Sequence, residues 1–314
     1  MIAVLGAFDG FHLGHQRLLR AAADLALKSG GEDDWGVVTF TPHPGNIVRG
    51  RKIPVLFTDP ERDLLSRYFR IPATLKLPFS RALADLSPVA FLDYIEDILP
   101  LSGIVVGTDF RFGRNREGDV ALMEKEAEER GWSFRAAESL VIGGEKVASS
   151  SIRNHVAHGA MDLAESLLGY PFFFTGTVVR GEGRGKKLGF PTANIDYRAE
   201  KVLPKRGVYA VSVYVEAKWM PGALNVGVNP TFHTGGGEVR AETHIIGFND
   251  SLYGKEIFVF IEQFLREESK FNSPELLIAQ MEKDVRDAMD FFSAKKLNHE
   301  RLYELFASTM DGRS

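Results

Sequence analysis

The sequence predicts a doubly wound α/β parallel sheet, followed by a small antiparallel β-barrel with a terminal α-helix. Three observations carry this. Up to about residue 155, short apolar runs alternate with stretches of helical periodicity, the rhythm of parallel strands joined by crossover helices. After about residue 171, β-rich segments follow at short spacing, and several alternate strictly, as in Val208-Tyr209-Ala210-Val211-Ser212-Val213-Tyr214-Val215. The length of 314 residues accommodates two domains, placed at 1–160 and 171–314 with 161–170 as the linker.

Each element has a local reason. Strands are expected at 2–5, 36–40, 73–77, 103–106 and 134–137, where apolar runs are too short for helices. Thr58-Asp59-Pro60-Glu61 reads as a capping box with an early proline, and Ser87-Pro88 pairs an N-cap with Pro at N1. Gly30 and Gly131 stand where helices should stop. A helix over 161–168, ended by Gly169 and followed by Pro171, forms the joint. The barrel strands are expected at 173–180, 208–215, 224–228, 241–246 and 257–264. Ser273-Pro274-Glu275 then opens a long helix through about residue 292, with Leu276, Leu277, Met281 and Val285 near one face.

Composition narrows the function. Hydrophobic residues at 44% and charged residues at 25% describe a globular chain, and a net charge of -4 gives no global basic field for nonspecific nucleic-acid binding. The absence of cysteine excludes disulfides, thiolate metal sites and thiol nucleophiles, and accords with a cytoplasmic setting. No stretch approaches 18 apolar residues, so no membrane span or secretion signal is expected.

The most informative segment is Gly6-Ala7-Phe8-Asp9-Gly10-Phe11-His12-Leu13-Gly14-His15, directly after the first strand and before the first helix. It sets two imidazoles, separated by a glycine, on a strand-to-helix turn, where phosphates meet unpaired helix N–H groups. Gly10 and Gly14 would let backbone approach a triphosphate, and both histidines could donate to the equatorial oxygens of a phosphoryl transition state. The chemistry suggested is attack on an α-phosphate.

Four further segments leave two readings each. Thr39-Phe40-Thr41-Pro42-His43-Pro44 is a rigid loop at the carboxyl edge of the sheet, a ligand-binding position or a structural turn. Thr108-Asp109-Phe110-Arg111-Phe112-Gly113 offers stacking surface with cationic charge, or core phenylalanines beside solvated arginines. Ser149-Ser150-Ser151-Ile152-Arg153 is a grip on β- and γ-phosphates or an ordinary serine N-cap. Gly181-Glu182-Gly183-Arg184-Gly185-Lys186-Lys187-Leu188-Gly189 is a flexible basic loop suited to polyphosphate, or a solvated basic turn. Its glycine spacing is not that of a Walker A loop. Pro191-Thr192-Ala193-Asn194 follows. If 192–194 is extended, Thr192 and Asn194 point the same way and offer neutral oxygens of the kind Mg²⁺ takes with ATP phosphates.

The histidine turn resembles the HxGH signature of the nucleotidyltransferase superfamily, and the chain has no KMSKS-like segment of an aminoacyl-tRNA synthetase. All segments together, in this order, resemble the bacterial bifunctional riboflavin kinase/FMN adenylyltransferase family, also called FAD synthetases. The resemblance covers essentially the whole chain. It implies a nucleotidyltransferase-like α/β module for FMN adenylylation and a six-stranded barrel for riboflavin phosphorylation. It also implies Mg²⁺ as cofactor, ATP as co-substrate, and riboflavin, FMN, FAD, ADP and pyrophosphate as the small-molecule partners.

Residue by residue, the resemblance implies catalytic roles for His12 and His15 and the general base at Glu242, within Arg240-Ala241-Glu242-Thr243-His244. Nucleotide and phosphate contacts are implied at Gly6, Phe8, Asp9, Gly10, Gly14, Asp109, Arg111, Ser149, Ser150 and Arg153. In the second module they fall on Gly181, Gly183, Arg184, Gly185, Lys186 and Gly189. Flavin contacts are implied at Pro42, His43, Phe110, Phe112 and Arg266, and metal ligands at Thr192 and Asn194. Ala7 stands where the family usually has Asn, and Gly247 near a usual acidic residue; relatives usually carry a longer segment before the motif. Two rival readings remain: a riboflavin kinase with a degenerate first module, and a noncatalytic flavin- or nucleotide-binding regulator.

Overall fold

The computed structural model describes all residues except Arg51, Glu182, Arg184, Lys186, Lys187, Ala217, 229–238, 295–303 and 305–314. Its chain divides into two compact units, Met1–Ser151 and Ile152–Ser314.

In the first unit, strands β1 (Ile2–Leu5), β2 (Trp35–Thr41), β3 (Ala73–Pro78), β4 (Gly103–Gly107) and β5 (Ser133–Ala137) form one parallel sheet in the order β3-β2-β1-β4-β5. The central strands are buried along their whole length because helices cover both faces, hence their unbroken apolar runs. Crossovers run through α1 (Leu13–Lys28), α3 (Asp59–Tyr68), α5 (Pro88–Ile98) and α6 (Val120–Glu129). Local chemistry sets their starts. Thr58 N–H donates to Glu61 Oε2 at 2.8 Å, closing half of the expected capping box, and Ser87 Oγ accepts from Ala90 N–H at 3.2 Å.

Strand order reverses between β1 and β4. Open α/β sheets leave a crevice there, beyond the carboxyl ends of the strands, and the histidine turn follows β1 while the Asp109 segment follows β4. Sequence patterning did not anticipate the small antiparallel hairpin β6 (Val141–Ile142) and β7 (Glu145–Lys146).

In the second unit, β8 (Phe173–Val179), β9 (Ala193–Asp196), β10 (Gly207–Val215), β11 (Lys218–Val228), β12 (Val239–Ile245) and β13 (Glu256–Arg266) close a barrel in the order β10-β11-β12-β9-β8-β13. All neighbours are antiparallel. The barrel is the expected one, with two differences. β11 begins at Lys218 and runs through Pro221-Gly222, and β9 is a strand of its own. The terminal helix spans Pro274–Ala294.

Helix α7 (Ser149–Ala157) contains the boundary between the two units, whereas the sequence places the domain edge at 160. Residues beyond 151 group with the barrel because α8 (Met161–Leu168) lies against β13 and Lys205 N–H donates to Val156 O at 3.3 Å.

Candidate active sites

The histidine turn is held by its own packing. Phe8 and Phe11 take positive φ angles of 46° and 29°, a costly region for aromatic residues, yet both rings are almost fully buried and 5.5 Å apart. Burying each contributes about 1.5–3 kcal/mol, comparable to a strain of about 1–3 kcal/mol. Gly10 sits at φ +100°, which a side chain rarely adopts. Asp9 is buried, and its Oδ1 accepts from Leu56 N–H at 2.8 Å and Phe57 N–H at 3.2 Å. Its carboxylate thereby ties the turn to residues 56–57.

His12 caps α1, its Nδ1 accepting from His15 N–H at 3.2 Å. In a neutral ring the proton then resides on Nε2. His12 and His15 stack with centroids 3.6 Å apart, and Phe8 lies 4.9 Å from His15. Burial, and secondarily the neighbouring His12, hold His15 well below the ordinary imidazole range. Its Nδ1 is buried without a hydrogen-bond partner among the described residues. The pair therefore offers neutral, orientable N–H donors rather than two fixed positive charges.

Around this turn the predicted residues divide. Gly6 and Gly14 fit closely against the Phe8 and His12 rings, where a Cβ would come within 3.0 Å and 3.2 Å of ring atoms. Ser149 donates to Asp9 O at 2.8 Å, while Ser150 is exposed and Arg153 is half-buried further along α7. Asp109 is exposed and takes a 2.5 Å ion pair from Lys146, whose hydrogen bond holds its carboxyl below the usual carboxylate range. Arg111 pairs with Asp119 at 3.4 Å. Pro42 follows a cis Thr41–Pro42 bond, and His43 caps α2 (Pro44–Arg49) by accepting from Gly45 N–H at 3.1 Å.

The Phe112 ring is 5% exposed and packs on Phe91 in the core cluster. Phe110, half-buried and stacked on Phe112 at 5.8 Å, remains at the edge.

Sequence reasoning does not find Arg62. Its Nη1 donates to Ala7 O at 3.1 Å, its Nη2 to Thr41 Oγ1 at 3.3 Å, and it is ion-paired with Asp59. One guanidinium on α3 thus ties the carboxyl ends of β1 and β2 together. A lone arginine inside a helix carries no motif, so only the fold reveals it.

The barrel unit holds a cavity of about 380 Å³. Strand register explains its wall. Glu242 on β12 lies opposite Asn225 on β11 and Asn194 on β9. Because side chains alternate, Arg240, Glu242 and His244 line the cavity with Thr192 and Asn194, while Ala241, Thr243 and Ile245 are buried on the opposite face. The terminal helix adds Leu277, Met281, Asp284 and Val285 to the wall.

Of the predicted loop residues, Gly183 and Gly185 line the cavity, and Gly189 lies in the following turn; Arg184 and Lys186 fall outside the described residues. A Cβ at Gly181 would overlap the Asn194 amide, so this loop has to be bare where it crosses β9. Asn194 Oδ1 is buried with no hydrogen-bond partner among the described residues. A buried carbonyl oxygen without a donor is costly in itself and is a fitting ligand for a hard cation. Arg266 also borders the cavity, but its guanidinium is committed to Asp284, at 2.6 Å through both Nε and Nη2. Its evident work is to fasten the terminal helix to the end of β13.

Comparison with known proteins assigns a family to each half of the chain. A riboflavin kinase family model matches residues 168–292, and an FAD synthetase model matches residues 1–151. The bifunctional riboflavin kinase/FMN adenylyltransferase of Listeria monocytogenes is 34% identical, covering 93% of this chain and 92% of that protein. The protein of that name from Escherichia coli K12 is 35% identical, covering 94% of each. The chain belongs to the bifunctional riboflavin kinase/FMN adenylyltransferase family. A solved structure described as a macrolide-efflux protein from Streptococcus pneumoniae superposes with a TM-score of 0.84 at 29% identity, covering 92% of this chain and 93% of that one. Among the described residues of this family member, no helix is long and apolar enough to cross a membrane.

Proposed function

We propose that the barrel unit transfers the γ-phosphoryl of ATP to riboflavin, giving FMN and ADP, and that the α/β unit joins FMN to AMP from a second ATP, giving FAD and pyrophosphate. Glu242 accepts the proton of the attacking primary hydroxyl, and Thr192 and Asn194 hold Mg²⁺. Mg²⁺ bound there supplies charge neutralisation on the transferring phosphates. Gly181, Gly183, Gly185 and Gly189 leave room for the nucleotide beside that wall. In the α/β unit, His12 and His15 donate to the α-phosphate oxygens as pyrophosphate departs, with Ser149 and Ser150 toward the leaving group. No protein nucleophile is required, because a substrate oxygen attacks in both steps.

The observation that carries the reading is the shared register of Asn194 and Glu242. It sets a buried carbonyl oxygen, which has no donor among the described residues, beside a carboxylate, with Thr192, on one cavity wall. We further propose that residues 1–160 and 171–314 act as separate modules in a cytoplasmic enzyme. Chromatography of products from the purified chain with riboflavin and MgATP tests the function. FMN followed by FAD is expected; FMN alone would leave a kinase with an inert first unit, and neither product would leave a binding protein.

A further inference from the structure

We propose that His244 is a positioning residue of the kinase site, which sets the Thr192 hydroxyl by holding the Pro191 carbonyl. The inference rests on the reading of Thr192 as a metal ligand. Strands β9 and β12 pair through Ala193↔Thr243, Asn194↔Glu242 and Ile195↔Ala241. One step further, Thr192 would face His244, but the pairing stops, and the next residue back is a proline with no N–H to offer. The Pro191 carbonyl thus lies beyond the last paired residue of the ladder. His244 provides a donor there: its Nδ1 lies 2.9 Å from Pro191 O.

Because a carbonyl only accepts, Nδ1 carries the proton. The same ring meets Phe190 edge-on at 5.4 Å, and Phe190 N–H donates to Gly185 O at 2.9 Å. One imidazole thus braces both residues that precede Thr192, and the bracing extends into the glycine-rich loop. His244 is also two residues from Glu242 on the same strand face, so the element that carries the base sets the ligand segment. A side-chain clamp replaces the missing rung of the ladder.

His244→Leu should raise the Mg²⁺ concentration for half-maximal kinase activity and the KM for MgATP by about 10-fold or more, the usual effect of losing a partner that orients a ligand. Riboflavin affinity and FMN adenylylation should stay as in the parent. His244→Asn, whose amide can donate to the same carbonyl, should restore most of the loss. Thr192→Ala serves as the reference. If Thr192→Ala raises the Mg²⁺ requirement and His244→Leu does not, the clamp is refuted while the ligand reading stands. If neither variant raises it, the ligand reading fails and takes the clamp with it. A loss confined to kcat in His244→Leu would mean a direct role and also overturn positioning. Should His244→Leu fail to fold, ¹⁵N NMR of the full chain, assigned by the signals lost in His244→Asn, still decides: a ring without a proton on Nδ1 refutes the proposal.

Discussion

In the α/β unit the candidate catalytic groups come from one ten-residue turn, whereas in the barrel unit they come from two strands, β9 and β12, that are far apart in sequence and paired in the sheet. The histidine turn is braced by bonds to its own neighbourhood: Asp9 to residues 56–57, Ser149 to Asp9, and Arg62 to Ala7. Its geometry is therefore set before any ligand arrives, while His15 Nδ1 keeps no hydrogen-bond partner among the described residues. The barrel wall is set by register instead, and its Asn194 Oδ1 is buried with no donor among the described residues. The two imidazoles come from one short motif, while the proposed base and cation ligands of the barrel are separated groups that only a sheet brings together.

Four measurements test that contrast. The largest effect is expected in the barrel: Glu242→Gln keeps shape but cannot take the hydroxyl proton, so kinase turnover should fall by about 10²- to 10⁴-fold. FMN adenylylation should be untouched, and steady-state assays of both reactions check this. Near-normal kinase turnover would refute the base and leave positioning and metal as the whole of the catalysis.

Next comes the turn itself. His12→Ala or His15→Ala should slow FAD formation from supplied FMN by about 10²- to 10³-fold, the typical loss for one preorganised donor, with riboflavin phosphorylation unchanged. Equal loss of both activities would point to folding instead.

Arg62→Met should lower FAD formation by about 10- to 10²-fold, the scale on which small misplacements act. The fall should leave FMN production intact, and a variant with parental FAD formation would show that the turn holds its shape without the guanidinium.

The smallest effect is on stability. His15 is held well below its ordinary value in the fold, so the unfolded chain takes up a proton near pH 6.5 that the native site refuses. His15 should therefore cost the native state up to about 1.4 kcal/mol per pH unit as pH falls below 6.5, and His15→Gln should flatten that part of a stability profile measured by denaturant titration. An unchanged slope would mean that the native ring is protonated.

Local rules reach unevenly into the two units. The parallel sheet, the helix starts at Thr58 and Ser87, and the histidine turn were legible because each depends on neighbours in sequence: apolar runs, caps and glycines. β9 and the early start of β11 at Lys218 were not, since a short strand and a Pro-Gly pair look like loop until their partners are present. Phe112 shows the same limit at a single residue. Beside arginines it resembles a stacking platform, and only the fold shows its ring packed on Phe91 from α5.

By itself, the sequence determined which chemistry is available: two imidazoles on a strand-to-helix turn, a glycine-rich basic loop, and oxygen and carboxylate groups in β-rich segments. Tertiary structure alone decided which of these groups meet. The pairing of Asn194 with Glu242, the clamp of His244 on Pro191 and the bridge from Arg62 to Ala7 join residues far apart in the chain. The physical reason is that residue type fixes what a group can donate, accept or bind, while strand register and helix packing, which sum weak contacts over a whole unit, fix the few ångströms on which hydrogen bonding and ligation depend.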